Sequence, residues 1–200
     1  IPAEDTAGQD LVRNFKPLPS PAHYFDQPSD LLYDFRAGKP EVNWKHIVID
    51  NVDRFPVGLV KENRPADFEV RDVSTMTDDE RDDYYVALGD AIANDSKSYR
   101  MFINRLKDAL DLSIKRVSWN FKTAIPQYYS AVEKLQLLLP LCLVTDDKVD
   151  LALAVERTQS GNYLGHTIFP LDWAYRNARL ICRPDSDWLV CPMYGRRHSP

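Results

Sequence analysis

The chain has 200 residues, 44% of them hydrophobic and 28% charged, and a net charge of −5, the balance of one globular domain, with or without an extension. A pI near 5.4 excludes non-specific coating of DNA. The densest apolar run, Leu135 to Val144, holds ten residues against the ~20 that a membrane span needs, which excludes a spanning helix of ordinary length.

The net charge hides a division. From Glu41 to Asp95 fourteen acidic residues stand against six basic ones, a local −8. From Lys97 to Lys122 seven basic residues stand against Asp108 and Asp111, a local +5. Such asymmetry suits an anionic ligand on one side of an acidic protein, and equally suits two halves that neutralise each other across an internal contact. Three cysteines form no even-numbered disulfide framework. Cys142 reads as a small buried hydrophobe, and Cys182, Cys191 and His198 match no common zinc spacing, so no metal and no cofactor is expected. No secretory signal is visible, and a cytoplasmic location is the expectation.

In chain order, Pro17, Pro19, Pro21 and Pro28 break up the first forty residues, leaving a short helical turn at Asp30 to Phe35. Residues 1–40 read as a peripheral extension, 41–190 as a single α+β domain and 191–200 as a tail. Ile47 to Ile49 and Val57 to Val60 read as short strands or edge segments, and Phe68 to Val73 alternates imperfectly. Thr77-Asp78-Asp79-Glu80 is a capping box, followed by a helix to about Ala93 with Tyr84 or Tyr85, Leu88 and Ile92 facing inward. A second helix from about Ser98 carries Phe102, Ile103, Leu106, Leu110 and Ile114 at three- and four-residue spacing. The two predict an αα-hairpin leading into a strand at Arg116.

That strand rests on a strict alternation. Arg116, Ser118, Asn120 and Lys122 fall on one parity, and Val117, Trp119, Phe121 and Thr123 on the other, so a strand would have one polar and one apolar face. Tyr128 and Tyr129, behind Pro126, are expected on an ordered loop. Leu135 to Val144, Leu151 to Glu156 and Tyr163 to Phe169 follow as strands, with turns at Thr145–Lys148 and Gln159–Asn162. A last helix from Leu171 to about Ile181 has Leu171, Ala174, Tyr175, Ala178 and Ile181 as its stripe. The fold class predicted is α+β: an antiparallel β-sheet meander with the αα-hairpin and the C-terminal helix packed on one face.

No phosphate loop, dinucleotide fingerprint, nucleophile elbow or metal-binding histidine pair is present. The polar parity of the Arg116 segment suits phosphate or acidic side chains, and it suits a solvated sheet face as well. Arg176 and Arg179 share a helix face, which fits a phosphate or ion pairs with the acidic half. Trp119, Trp173 and Trp188 are residues that stack on bases or fill a core. His166 lies within a predicted strand, and across a hairpin from it Glu156 is placed to hold the imidazole in one tautomer, in an enzyme or in a packed core.

IKRVSWNFKTAIPQYY (Ile114 to Tyr129), LQLLLPLCL (Leu135 to Leu143), YLGHTIFPLDWAYRNARLI (Tyr163 to Ile181) and PDSDWL (Pro184 to Leu189) resemble the DUF3825 family. FPVGLVKEN (Phe55 to Asn63) is similar to a diverged form of that family's FNTGL-type motif. The resemblance implies an RNA context by association, since family members occur beside cold-shock-type or LOTUS-type RNA-binding domains, and it brings no established reaction or catalytic residue.

The leading expectation is a module that binds RNA or a nucleotide. Arg116 and Lys122 would contact phosphate, Asn120 and Gln127 would make polar contacts, and Tyr128 would stack, with Arg176 and Arg179 as further ligand residues. One alternative is an enzyme acting on nucleotides or RNA ends, with His166 as general acid or base beside Glu156 and with Lys122 and Arg176 stabilising charge. Another is a scaffold that meets a protein partner through the acidic helix, Asp78 to Asp90.

Overall fold

The computed structural model describes residues 27–129, 133–184 and 188–189. The breaks at Pro17, Pro19 and Pro21, Cys191 and the tail at Gly195–His198 lie outside them. Two 3-10 turns, Pro28–Leu31 and Phe35–Ala37, stand where one helical turn was expected. Between them Tyr33 is buried, its ring stacked on Tyr163 at 4.2 Å.

Strand β1 is only Glu41–Val42. The β-branched run Ile47 to Ile49, expected as a strand, is instead a π-helical turn, His46–Asp50, with Ile47 and Val48 fully buried. Val57 to Val60, also expected as a strand, opens helix α1, Val57–Asn63. Pro56 precedes its first turn with φ already at −54°, and the adjacent Leu59 and Val60 both reach the core. Phe68 to Val73 forms no strand, and Val73–Thr75 is a 3-10 turn. For the first two segments, burial of Ile47, Val48, Leu59 and Val60 against neighbouring helices overrides local β propensity.

Helix α2, Asp78–Asn94, opens with the expected capping box: Glu80 N–H donates to Thr77 Oγ1, and Thr77 N–H donates to the Glu80 carboxylate. Tyr84, Leu88 and Ile92 are its buried stripe. One residue separates it from helix α3, Ser96–Trp119. That residue, Asp95, donates its N–H to the Ala91 carbonyl and accepts from Lys97 N–H, closing one helix and capping the next. The αα-hairpin therefore stands.

The strand expected at Arg116 does not exist. The buried stripe of α3 continues as Phe102, Leu106, Leu110, Ser113 and Val117, so Val117 belongs to the helical period. Asn120 then ends the helix, and Phe121–Thr123 is a 3-10 turn. The sheet begins only at β2, Ile125–Tyr129, which places Tyr128 and Tyr129 in a strand rather than a loop.

Strands β3 (Lys134–Leu141), β4 (Leu151–Arg157) and β5 (Tyr163–Pro170) complete a five-stranded sheet in the order β1-β5-β4-β3-β2. Successive strands from β2 to β5 pair antiparallel, but β1 pairs parallel with β5, so the sheet is mixed rather than purely antiparallel. Pro126 is tolerated because β2 is an edge strand. Pro140 is tolerated inside β3 because β2 ends opposite Leu138, leaving β4 as its neighbour.

Helices cover both faces of the sheet, not one as expected. Leu137, Leu139 and Leu141 of β3 and Leu151, Leu153 and Val155 of β4 join α1, α2 and α3 in the larger core. The opposite parity, Leu138, Ala152 and Ala154, packs with Ile125 against Ala174 and Ala178 of helix α4, Leu171–Ala178. Alanine opposite alanine lets α4 lie close, while leucines fill the wider gap under the hairpin. Covering on both faces explains why β3 reads as a continuous apolar run.

Candidate functional site

The end of α3 carries the chemistry. Asn120 N–H closes the last helical turn on the Arg116 carbonyl, and Asn120 Oδ1 accepts from Lys122 N–H at 3.1 Å, starting the 3-10 turn. This double cap fixes Lys115, Arg116, Trp119, Asn120, Lys122 and Thr123 around a cleft of about 600 Å³. Its far wall includes Asp147, from the β3–β4 connection, and Trp188, whose Nε1 donates to the Thr123 carbonyl at 3.1 Å. Three cations crowd a helix C-terminus, where they offset the partial negative charge of its carbonyls.

The cations are not equivalent. Arg116 Nη1 donates to Cys142 Sγ at 3.0 Å and Nη2 to the Asp146 carbonyl, so Arg116 fastens α3 to the loop after β3. Burial pushes the Cys142 thiol up despite that guanidinium, so this buried cysteine is a neutral thiol. Lys115 and Lys122 are exposed. Trp119, expected in a core, is 92% exposed, and Phe121 is 60% exposed. Trp119 lines the cleft with Lys115 and Lys122, residue types that can stack on a planar group and pair with an anion.

Of the expected ligand residues, the structure brings Arg116, Asn120 and Lys122 to this cleft, as consecutive turns rather than as one strand face. Gln127 goes elsewhere: it is fully buried in β2 and donates from Nε2 to Gln136 Oε1 at 2.8 Å. Tyr128 lines a separate polar groove of about 1000 Å³ with Lys134, Gln136, Glu156 and Tyr163. Arg176, on α4, pairs with Asp172 of the same helix at 3.1 Å, and Arg179 is the residue that caps that helix. Trp173 lies under the Arg54 guanidinium at 5.4 Å.

His166 and Glu156 do meet, His166 Nε2 lying 3.2 Å from Glu156 Oε2. A register shift sets Ala154 opposite Thr167 but Val155 opposite Gly165, so His166 is the extra residue of a β-bulge. Glu156 also accepts from Lys134 Nζ at 2.7 Å. Burial pushes the Glu156 carboxyl up, but Lys134, the charge of His166 and a hydrogen bond from Gln136 outweigh it and hold the carboxyl below its ordinary value. The carboxylate that these contacts favour orients the imidazole.

The family model described as "Domain of unknown function (DUF3825)" matches residues 2–188. The chain belongs to the DUF3825 family. No curated protein and no solved structure matches it. Among the described residues, no helix is long and apolar enough to cross a membrane.

Within this DUF3825 chain, sequence reasoning undervalued Trp119 and missed Lys134 and the Gln127–Gln136 pair. The glutamine pair did leave a signal: Gln136 is the one polar residue in LQLLLPL, and a polar side chain in a two-sided core needs a partner. Lys134 left none, since its partner lies 22 residues away.

Proposed function

We propose that this domain binds single-stranded RNA or a nucleotide through the cleft at the end of α3. The observation that carries the reading is Trp119, 92% exposed beside Lys115 and Lys122 at the cleft. An indole held out in water contributes almost nothing to folding, whereas against a base it contributes ~1–3 kcal/mol. The lysines supply the phosphate contacts, Asn120 a polar contact, and Arg116 a fixed positive field while it fastens the cleft wall. The ligand belongs to a cytoplasmic setting in this reading, and the acidic exposed side of α2 is left for a protein partner.

Lys122→Gln tests it. Binding of a single-stranded hexauridylate should weaken and its logarithmic salt slope should fall by about 0.7, the contribution of one phosphate contact on a single strand. The melting temperature should barely move, because an exposed cation contributes little to folding. Unchanged affinity and slope with a melting temperature several degrees lower would make this a structural ion surface.

A second reading, an enzyme acting on nucleotides or RNA ends, has the Glu156–His166 contact in its favour. In it His166 is the general acid or base and Glu156 its positioning residue. Turnover of nucleotides or RNA ends that His166→Asn abolishes, with the melting temperature unchanged, would favour this reading over binding alone.

A further inference from the structure

Behind the 3-10 turn lies a second cavity, an apolar slot of about 240 Å³. Leu31, Leu32, Phe121, Ile125, Pro126 and Cys182 line it, and Lys122 stands in its wall as well as in the wall of the cleft. The turn Phe121–Thr123 is thus a partition with one cation common to both sides. At its rim Phe121 and Leu32 leave apolar surface open to solvent, 60% and 46% exposed.

We infer that the slot takes a nucleobase, the neighbour along the strand of the base stacked on Trp119, an inference that rests on the cleft being a nucleotide site. Three observations converge on that occupant. Lys122 serves both cavities, so a phosphate held there has one base on the cleft side and the next on the slot side. The volume is below the ~300–1,000 Å³ of a site for a drug-sized molecule, which suits a single ring system. A cation on an apolar wall selects a flat apolar group that carries an anion, as a nucleotide does, over an aliphatic side chain of a neutral peptide. Apart from Lys122 and the weakly polar thiol of Cys182 the lining side chains offer no hydrogen-bonding edge, so the slot accepts any base by stacking on Phe121.

Cys182 makes the slot observable, since it is an exposed free cysteine in the wall. The experiment follows two signals on the full chain: anisotropy of a fluorescein-labelled hexauridylate, and the rate at which iodoacetamide alkylates Cys182, assigned by peptide mass spectrometry. Saturating hexamer should slow that alkylation about tenfold. Rising anisotropy with an unchanged alkylation rate overturns the slot and leaves the cleft reading standing; no anisotropy change at any concentration overturns both. Cys182→Phe gives an independent check, because it projects a ring into the slot from an exposed position. It should weaken hexamer binding about tenfold, the equivalent of one lost stacked base, while the melting temperature holds. Undiminished affinity in Cys182→Phe overturns the inference.

Discussion

Trp119→Ala separates the proposed binding role from folding. With 92% of the residue already in water, about 8% of its surface is removed from solvent by the fold. A fully buried tryptophan hides roughly 200 Å², so the hidden part here is about 16 Å². At about 25 cal/mol per Å² that contributes about 0.4 kcal/mol, and the better helix propensity of alanine offsets some of it. For a domain of this size the melting temperature should move by no more than about 2 °C. Binding of a single-stranded hexamer should instead fall by ~1–3 kcal/mol, roughly five- to 150-fold in Kd, and Trp119→Phe should retain most of the affinity. Differential scanning fluorimetry and anisotropy on the same preparations read both quantities. A melting temperature several degrees lower with unchanged hexamer affinity would refute the reasoning, because Trp119 would then be a packing residue.

Three further expectations concern the scaffold. Gln136→Leu should cost ~1–3 kcal/mol in urea denaturation, because Gln127 is left buried without its partner and Glu156 loses a donor; adding Gln127→Leu should recover part of that loss, whereas additive costs would count against a coupled pair. Glu156 has a folded pKa below its ordinary value, so its stabilisation is present above that value and lost as pH falls through the folded pKa. Glu156→Gln should therefore be less stable than the parent at pH 7, with the gap in urea midpoint closing as pH falls below the ordinary carboxylate value and through the folded one; a gap that persists in acid would mean the carboxylate charge is not its source. Gly89→Ala should lower the melting temperature although alanine favours a helix by ~1 kcal/mol, because the new Cβ would sit 2.7 Å from the Ile49 carbonyl oxygen, a backbone atom that moves only with its whole turn; a rise would show that the π-helical turn at His46–Asp50 yields easily.

The parts of the fold that the sequence makes legible are those where local pattern and tertiary packing agree. Thr77 and Glu80 satisfy each other within one turn, so the start of α2 needs no distant information. In β4 the pattern Leu-Ala-Leu-Ala-Val-Glu records two different neighbours, hairpin leucine packing on one parity and close α4 packing on the other. The alternation was visible, but what it separates was not, because both parities are apolar and nothing local says that a helix lies on each side. Placing α4 with the hairpin was the resulting error. Ile47–Ile49 and Val57–Val60 failed for a different reason: runs this short have no period of their own, and the burial of Ile47, Val48, Leu59 and Val60 among helices decides their conformation.

The segment Arg116 to Thr123 is the most instructive failure, because its residues do gather at one cleft although the predicted strand is absent. Alternation over eight residues fits a strand only if both parities keep their environments, and they do not. Val117 is buried as the last rung of a stripe whose earlier members, Phe102, Leu106 and Leu110, were already assigned to a helix. Extending that three- and four-residue spacing by one step would have claimed Val117 and left Trp119 beyond the stripe, on the open side of the final turn. Asn120 then reads as the stop it is, a residue whose short amide accepts from the second backbone N–H beyond it. A strand would have hidden Trp119 and Phe121 in the core and lined up Arg116 and Lys122 some 20 Å apart at ~3.3 Å per residue. The helix end does the reverse. It turns both rings outward, draws Arg116 into a structural bond with the loop after β3, and leaves Lys122 on a tight turn between two cavities. On the proposed reading, a ligand bends around that one cation with a planar group on either side, which is the shape of a dinucleotide step.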